Sequence, residues 1–439
     1  MKLRLICATG LSMFCLGASA LDLIQAFDLA RLNDPVLRAA ISDNEASLEN
    51  LAIGKSAVLP KVSATYYKAY TDVRNNTSPT QTGNFNSQFS AIQLTQPLYS
   101  PEAMARWRQG EAQARLGEYK LAFNQQDLQV RVAQAYTDLL FAIDQFNFQQ
   151  IERDAMLTQS RQAENLFKRG EASRTDVLEA QSAFEISDAK VGEAKDAVEV
   201  ARRKLIDIIG QDIADIRQVA RLGEPLQLLK LKFRKFEEWQ EQALANNPEL
   251  LALQQQVTVA EQEVAKNNAG HYPVVNLLGT ASNQTSYTVN TLGQTIQQSL
   301  IGVQMNLPLY TGGETTARTS QALKLLDKTK SDYESARSRI LTELRKQFDA
   351  VNTNAAKIDS LVKAKASSTV LIDAMQRSLQ LGERTQADVM MAQRNLFSVR
   401  RDLAQTRYTY LLAYLKLAQQ AGELNLDEFT TVASRFTPN

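Results

Sequence analysis

The second half of this chain repeats the first. Asn33-Asp34-Pro35 returns as Asn246-Asn247-Pro248, Leu59-Pro60 as Tyr272-Pro273, Gln96-Pro97-Leu98-Tyr99 as Leu307-Pro308-Leu309-Tyr310, and Gly170-Glu171 as Gly382-Glu383. The offsets stay between 211 and 213 residues over landmarks spread across most of each half, so one fold has been duplicated. Each copy holds two short strand-like segments followed by very long helical runs. That order points to a symmetric, elongated object rather than a compact enzyme.

Residues 118–169, 314–381 and 383–421 contain neither Gly nor Pro. Ordinary helices average about 11 to 12 residues, so uninterrupted patterns this long mean coiled coil, membrane span or helical repeat. These runs are too polar for a span, which needs about 20 consecutive apolar residues. Within the first, Leu128, Val132, Ala135, Leu139, Ala142 and Phe146 step by fours and threes; within the second, Leu341, Leu344, Phe348, Val351, Ala355, Ile358 and Val362 do the same. That is a coiled-coil seam, and its alanines allow close helix approach.

The N-terminus sets the compartment. Lys2 and Arg4 precede an apolar run from Leu5 to Leu16, and Ala18-Ser19-Ala20 offers small residues where a signal peptidase cuts. Residues 1–20 therefore read as a signal peptide, with Leu21 opening the mature chain. Both cysteines, Cys7 and Cys15, lie in the leader, so no disulfide framework remains. The bulky Met13 and Phe14 before Cys15 argue against lipidation. Losing Lys2 and Arg4 leaves 47 basic against 48 acidic residues, and no basic bias suggests nucleic acid.

The first repeat spans 21–235 and the second 236–439. Residues 22–58 read as helix broken at Asp34-Pro35. Segments 61–72 and 85–96 read as strands, ending at Pro97. The second copy places strands at about 273–289 and 294–307, where Ile301, Val303, Met305 and Leu307 alternate with Gly302, Gln304 and Asn306. Long helices follow at about 101–169 and 173–209, then 314–381 and 385–421, with an irregular link at 210–235 and a tail at 422–439. At 1.5 Å per residue each longer helix would measure on the order of 100 Å.

Four strands of this length can cross a bilayer when tilted, but four alone cannot close. A membrane reading thus requires several chains to share one barrel; two soluble hairpins capping a helical rod are the alternative. Gly170 and Gly382 each end a long helix. Ser173 with Asp176 and Thr385 with Asp388 then look like capping boxes that start the return helices. No catalytic constellation, metal set or cofactor motif stands out: the mature chain has one histidine, His271, beside a helix-to-strand junction, and no cysteine. Thr311-Gly312-Gly313 lacks the lysine of a phosphate loop.

A signal peptide followed by two rounds of Asn-x-Pro opening, strand pair ending in Pro-Leu-Tyr, long helix and Gly-x-x-Thr-x-x-Asp-Val, with Ser173 in the threonine's place in the first, resembles the TolC family of outer-membrane efflux and secretion channels over the whole mature chain. The resemblance implies a mainly α fold with a β-barrel portion, internally duplicated, built from long antiparallel coiled-coil hairpins and four membrane strands per protomer. It implies a homotrimer with a twelve-stranded barrel in outer-membrane lipid of a Gram-negative cell and a helical tunnel through the periplasm. The implied role is the exit duct of a tripartite type I secretion or efflux system, working with a periplasmic adaptor and an inner-membrane ABC transporter or proton-driven pump. No enzymatic activity, cofactor or nucleic acid is implied. Residues 210–235 and the tail would form a belt around the tunnel.

The family closes its periplasmic tip with inter-protomer charges and hydrogen bonds. Carried over, Thr175 and Asp176 of the first turn face Arg384 of the second, with Asp388 and Glu179 adding acidic groups, and Gly170 and Gly382 as the turns themselves. Leu379 stands where the family has a gate tyrosine, and Met391 where it has a second aspartate. The competing reading makes Asp176 and Asp388 helix caps and Arg384 a solvated turn charge; the two roles can coexist. The other functional class open to the sequence is a soluble periplasmic coiled-coil scaffold without a pore.

Overall fold

The structure is a computed structural model and describes residues 21–74, 83–213, 219–286 and 294–437. Residues 1–20, read above as a leader and holding both cysteines, and residues 75–82, 214–218, 287–293 and 438–439 lie outside the described residues. The chain is mostly helical with a sheet portion.

The duplication is structural. The first copy runs α1 (Leu23–Asn33), α2 (Pro35–Ser56), β1 (Lys61–Val73), β2 (Gly83–Tyr99), α3 (Pro101–Lys168) and α4 (Arg174–Ile209). A two-residue strand β3 (Arg221–Leu222) follows. The second copy runs α5 (Phe236–Asn246), α6 (Pro248–Asn268), β4 (Val274–Ser286), β5 (Gln294–Asn306), α7 (Glu314–Gln380) and α8 (Gln386–Gln420), and the chain ends with α9 (Leu426–Ala433) and β6 (Phe436–Thr437). Corresponding helices have 11 and 11, 22 and 21, 68 and 67, and 36 and 35 residues. So close a match in length means that both copies solve one packing problem.

Two compact units result. One comprises Ala39–Phe123 and Asn246–Ile340 and holds an antiparallel sheet of order β1-β2-β4-β5. Register puts Val62, Leu94, Gly279 and Ile301 in one row across the four strands. Because side chains alternate in a strand, that row shares a face with Ala64, Ile92, Leu277, Val303 and Met305. The opposite face carries Ser63, Gln93, Thr95, Thr280, Gln298 and Gln304 together with Leu278, Ile296, Leu300 and the stacked rings of Tyr67 and Phe89 at 5.3 Å. Apolar side chains thus gather on one face around this row, whereas the opposite face is mixed and richer in serine, threonine and glutamine. Its outer strands, β1 and β5, each have a single partner among the described residues.

One expectation fails here. Proline was taken to end the strand at Pro97, yet β2 continues to Tyr99, with Pro97 opposite Asn276 and a register shift between Pro97 and Tyr99. A bulge absorbs the donor that proline lacks. Within the same unit α2 and α3 nearly touch: a Cβ on Gly110 would lie 2.3 Å from the Asn50 carbonyl oxygen. No larger residue fits there.

The other unit comprises Met1–Arg38, Asn124–Ala245 and Leu341–Asn439. Its core gathers Leu23, Phe27, Tyr136, Leu139, Leu205, Ile209, Tyr410 and Phe429, all buried. Phe27 meets Phe429 at 5.0 Å, and Tyr136 lies edge-on to Phe436 at 5.4 Å. The link, read from sequence as irregular, contributes β3, which pairs with β6 from the C-terminal tail; two residues are too few to show a period. Tyrosines fasten the link and the tail to the helices. The Tyr136 hydroxyl donates to the Ala220 carbonyl at 2.8 Å, Tyr410 bonds both backbone groups of Leu229, and Tyr414 donates to Glu428 at 2.8 Å.

The Asn-x-Pro motif has a physical reason. Asp34 Oδ2 accepts the Leu37 N–H at 2.7 Å, and Asn247 Oδ1 accepts that of Leu250 at 3.0 Å. Each caps a helix whose first residue is proline, a position where the missing N–H costs nothing. Asp34 is also held by Arg131, whose Nη1 and Nη2 donate to Oδ1 and Oδ2 at 3.1 and 2.9 Å. No helix among the described residues is long and apolar enough to cross a membrane.

Candidate functional site

The two helix turns, at 168–176 and 380–388, are built alike. Gly170 takes φ 77° and Gly382 φ 75°, a left-handed conformation that a side chain would oppose. Glu171 N–H donates to Leu166 O and Gly170 N–H to Phe167 O, both at 2.9 Å; Glu383 to Ser378 and Gly382 to Leu379 repeat the pattern at 2.9 and 3.1 Å. These paired bonds satisfy the last carbonyls of α3 and α7.

Three residues on, the return helices start with reciprocal caps. The Asp176 N–H donates to Ser173 Oγ at 3.2 Å while Asp176 Oδ2 accepts the Ser173 N–H at 2.9 Å. Asp388 N–H donates to Thr385 Oγ1 at 3.3 Å, and Asp388 Oδ2 accepts both the N–H and the hydroxyl of Thr385 at 3.0 Å. Both capping boxes expected from sequence form, with aspartate as the third helical residue. Hydrogen bonds from Ser173 hold the Asp176 carboxyl below its ordinary value. Those from Thr385, with the charge of Arg384, do the same for Asp388.

Each turn therefore presents an ionised carboxylate at neutral pH, with only Oδ2 engaged by the cap. Thr175, Asp176 and Glu179 are exposed, whereas Val177 and Ala180 on the same turns are buried. Arg384 is exposed and close enough to Asp388 to favour its charge. Within the single chain, Asp176 draws its stabilisation from Ser173 and none from Arg384. Leu379 is half-buried, and Met391 is 68% exposed.

A second polar cluster escaped sequence reasoning. Asp144, Glu224, Lys365, Arg407 and Tyr408 converge from α3, the link, α7 and α8. Their separations, 264 residues between Asp144 and Tyr408, leave no local signal to read.

Comparisons with known proteins agree with this architecture. A family model described as outer membrane efflux protein matches residues 26–211 and 239–423, one segment in each repeat. The alkaline protease secretion protein AprF of Pseudomonas aeruginosa is 33% identical over 424 residues, covering 95% of this chain and 88% of that protein. The proteases secretion protein PrtF of Dickeya chrysanthemi is 29% identical over 430 residues, covering 96% and 92%. The crystal structure of the outer membrane protein VceC of Vibrio cholerae superposes with a TM-score of 0.77 at 17% identity over 91% of this chain and 96% of that one. With the repeats, the sheet and the helix pairs all accounted for, the chain belongs to the outer membrane efflux protein family and is a TolC-like outer-membrane channel, an exit duct for efflux or secretion with partner proteins.

Proposed function

We propose that the chain forms a homotrimeric outer-membrane duct for type I protein secretion, recruited by a periplasmic adaptor and an inner-membrane ABC transporter. The observation that carries this reading is the match, over at least 95% of the chain, to two proteins whose names state protease secretion. A conduit needs no bond chemistry of its own, in keeping with a mature chain that has a single histidine and no cysteine. Deleting the chain from its host should keep a protein cargo out of the medium while the cargo accumulates inside. Normal protein export combined with new sensitivity to small toxic compounds would assign the duct to a proton-driven drug pump instead.

The trimer rests on the sheet. Backbone groups on the free sides of β1 and β5 have no water to bond in hydrocarbon, and only closure with neighbouring copies satisfies them. Three copies would supply twelve strands. No stable membrane-inserted monomer should therefore exist. Sedimentation in detergent that found mostly folded monomer would sink the proposal.

The closed tip rests on the two turns. We place Asp176 of one protomer against Arg384 of the next, flanked by Thr175, Glu179 and Asp388, with Asp176 Oδ1 accepting from the guanidinium while Oδ2 keeps the cap. Such exposed contacts are individually weak, but three symmetric copies must break together on opening. Arg384→Ala should raise single-channel conductance in planar bilayers and leave trimer stability almost unchanged. A solvated turn charge predicts wild-type conductance for that variant, which would remove Arg384 from the gate.

A further inference from the structure

A cavity of about 410 Å³ lies among α3, the segment around β3, α7 and α8, inside the helical unit. Four cations line it, Arg221, Lys365, Arg400 and Arg407, against two carboxylates, Asp144 and Glu224. Both carboxylates are already engaged. Glu224 Oε1 accepts from Arg407 Nη1 at 2.5 Å, and its Oε2 lies 3.8 Å from Lys365 Nζ. Asp144 Oδ2 accepts the Tyr408 hydroxyl at 2.8 Å. Burial pushes the Asp144 carboxyl above its ordinary value, while its hydrogen bond from Tyr408 and the charges of Arg221 and Arg407 act in the opposite sense.

Positive charge is left over. Arg221 and Arg400 line the cavity without a hydrogen bond or ion pair among the described residues. The Nε groups of Arg400 and Arg407 are shut off from solvent and have no acceptor, although Arg407 is only 8% exposed. Buried donors without acceptors are rare in folded proteins, and Arg221 and Arg400, half-buried and without a bonded carboxylate, leave room for a neutralising partner. Three guanidinium groups facing one space present planar, forked donors that match the oxygens of a carboxylate or phosphate. The volume falls within the range of small-molecule sites.

We infer that this cavity is an oxyanion site, in which a carboxylate or phosphate group is bound by Arg221, Arg400 and Arg407. The group comes either from a free small molecule or from an acidic side chain of a second copy of this chain; the second source rests on the oligomer proposed above, and the first does not. An anion there would join β3 to α8 across a gap that the chain's own carboxylates leave open.

The full chain purified in detergent, titrated calorimetrically with inorganic phosphate and with citrate at constant ionic strength, tests the site. Binding of either anion, weakened at least about tenfold by Arg400→Gln and retained by Arg400→Lys, supports a free ligand. Absence of binding, with Arg221→Gln and Arg400→Gln shifting the sedimenting species toward smaller assemblies while Arg400→Lys does not, supports the neighbouring side chain. Unchanged far-UV circular dichroism excludes misfolding of the variants. The site is overturned if both glutamine variants bind the anions as wild type does, or if no anion binds and neither variant alters assembly.

Discussion

Arg131→Ala should destabilise the folded chain by about 3 kcal/mol or more, measured by urea unfolding in detergent at neutral pH, because it strands a buried carboxylate. Asp34 is 2% exposed and receives both Nη groups of Arg131, and Arg131 Nε also holds Asp127 at 2.7 Å. Burial by itself would raise the Asp34 carboxyl. The hydrogen bonds from Arg131 and from the Leu37 N–H outweigh it and hold the group below its ordinary value. A depressed carboxyl contributes stability that is present above the unfolded value, about 4, and is lost as pH falls through the lower folded value. In Arg131→Ala the arginine's share of that contribution is gone at every pH, so the gap between variant and wild type should narrow in acid below about pH 4. Asp34→Asn should be milder, since Asn247 performs the same capping task in the second repeat. An Arg131→Ala variant within about 1 kcal/mol of wild type would show that the pair does not anchor the junction between α1 and α2.

What the sequence could reveal followed from where its signals sit. Helix starts and stops are written in three or four adjacent residues, so Gly170, Ser173, Asp176 and their counterparts Gly382, Thr385 and Asp388 were readable as turns and caps. The duplication was readable because its landmarks are prolines and glycines, which the backbone cannot easily trade for other residues. Pro97 misled because a strand can carry proline when a bulge takes up the lost donor. Arg131 was illegible as the partner of Asp34, 97 residues away. The same distance problem hid the arginine-lined cavity, whose walls come from four separate segments. The pairing of Asp176 with Arg384 is of another kind. As proposed it would concern two copies of the chain, and the cap that explains Asp176 locally is compatible with it because it uses one carboxylate oxygen of two.

The second large effect is expected at the sheet. Ile301, Val303 and Met305 are 83%, 64% and 66% exposed in the single chain and share a face with Val62, Ile92, Leu94 and Leu277. On a chain of the outer membrane this apolar cluster is the surface expected to meet hydrocarbon, and the opposite side, richer in serine, threonine and glutamine, the one expected to meet water. Val303→Arg places a charge on the apolar face and should cost about 2 to 4 kcal/mol if the residue sits near the bilayer midplane. Gln304→Arg, one residue further along the same strand, puts the identical charge on the opposite face and should be tolerated. Both variants introduce the same side chain; Val303→Arg also loses a β-branched strand former, a difference of up to about 1 kcal/mol that is smaller than the effect expected from lipid. The readout is the fraction of heat-resistant oligomer recovered from outer-membrane preparations. Val303→Arg should reduce it sharply and Gln304→Arg should not. Equal assembly of both variants, or equal failure, would mean that the alternation along β5 does not separate lipid from water, and the orientation of all four strands would have to be abandoned with it.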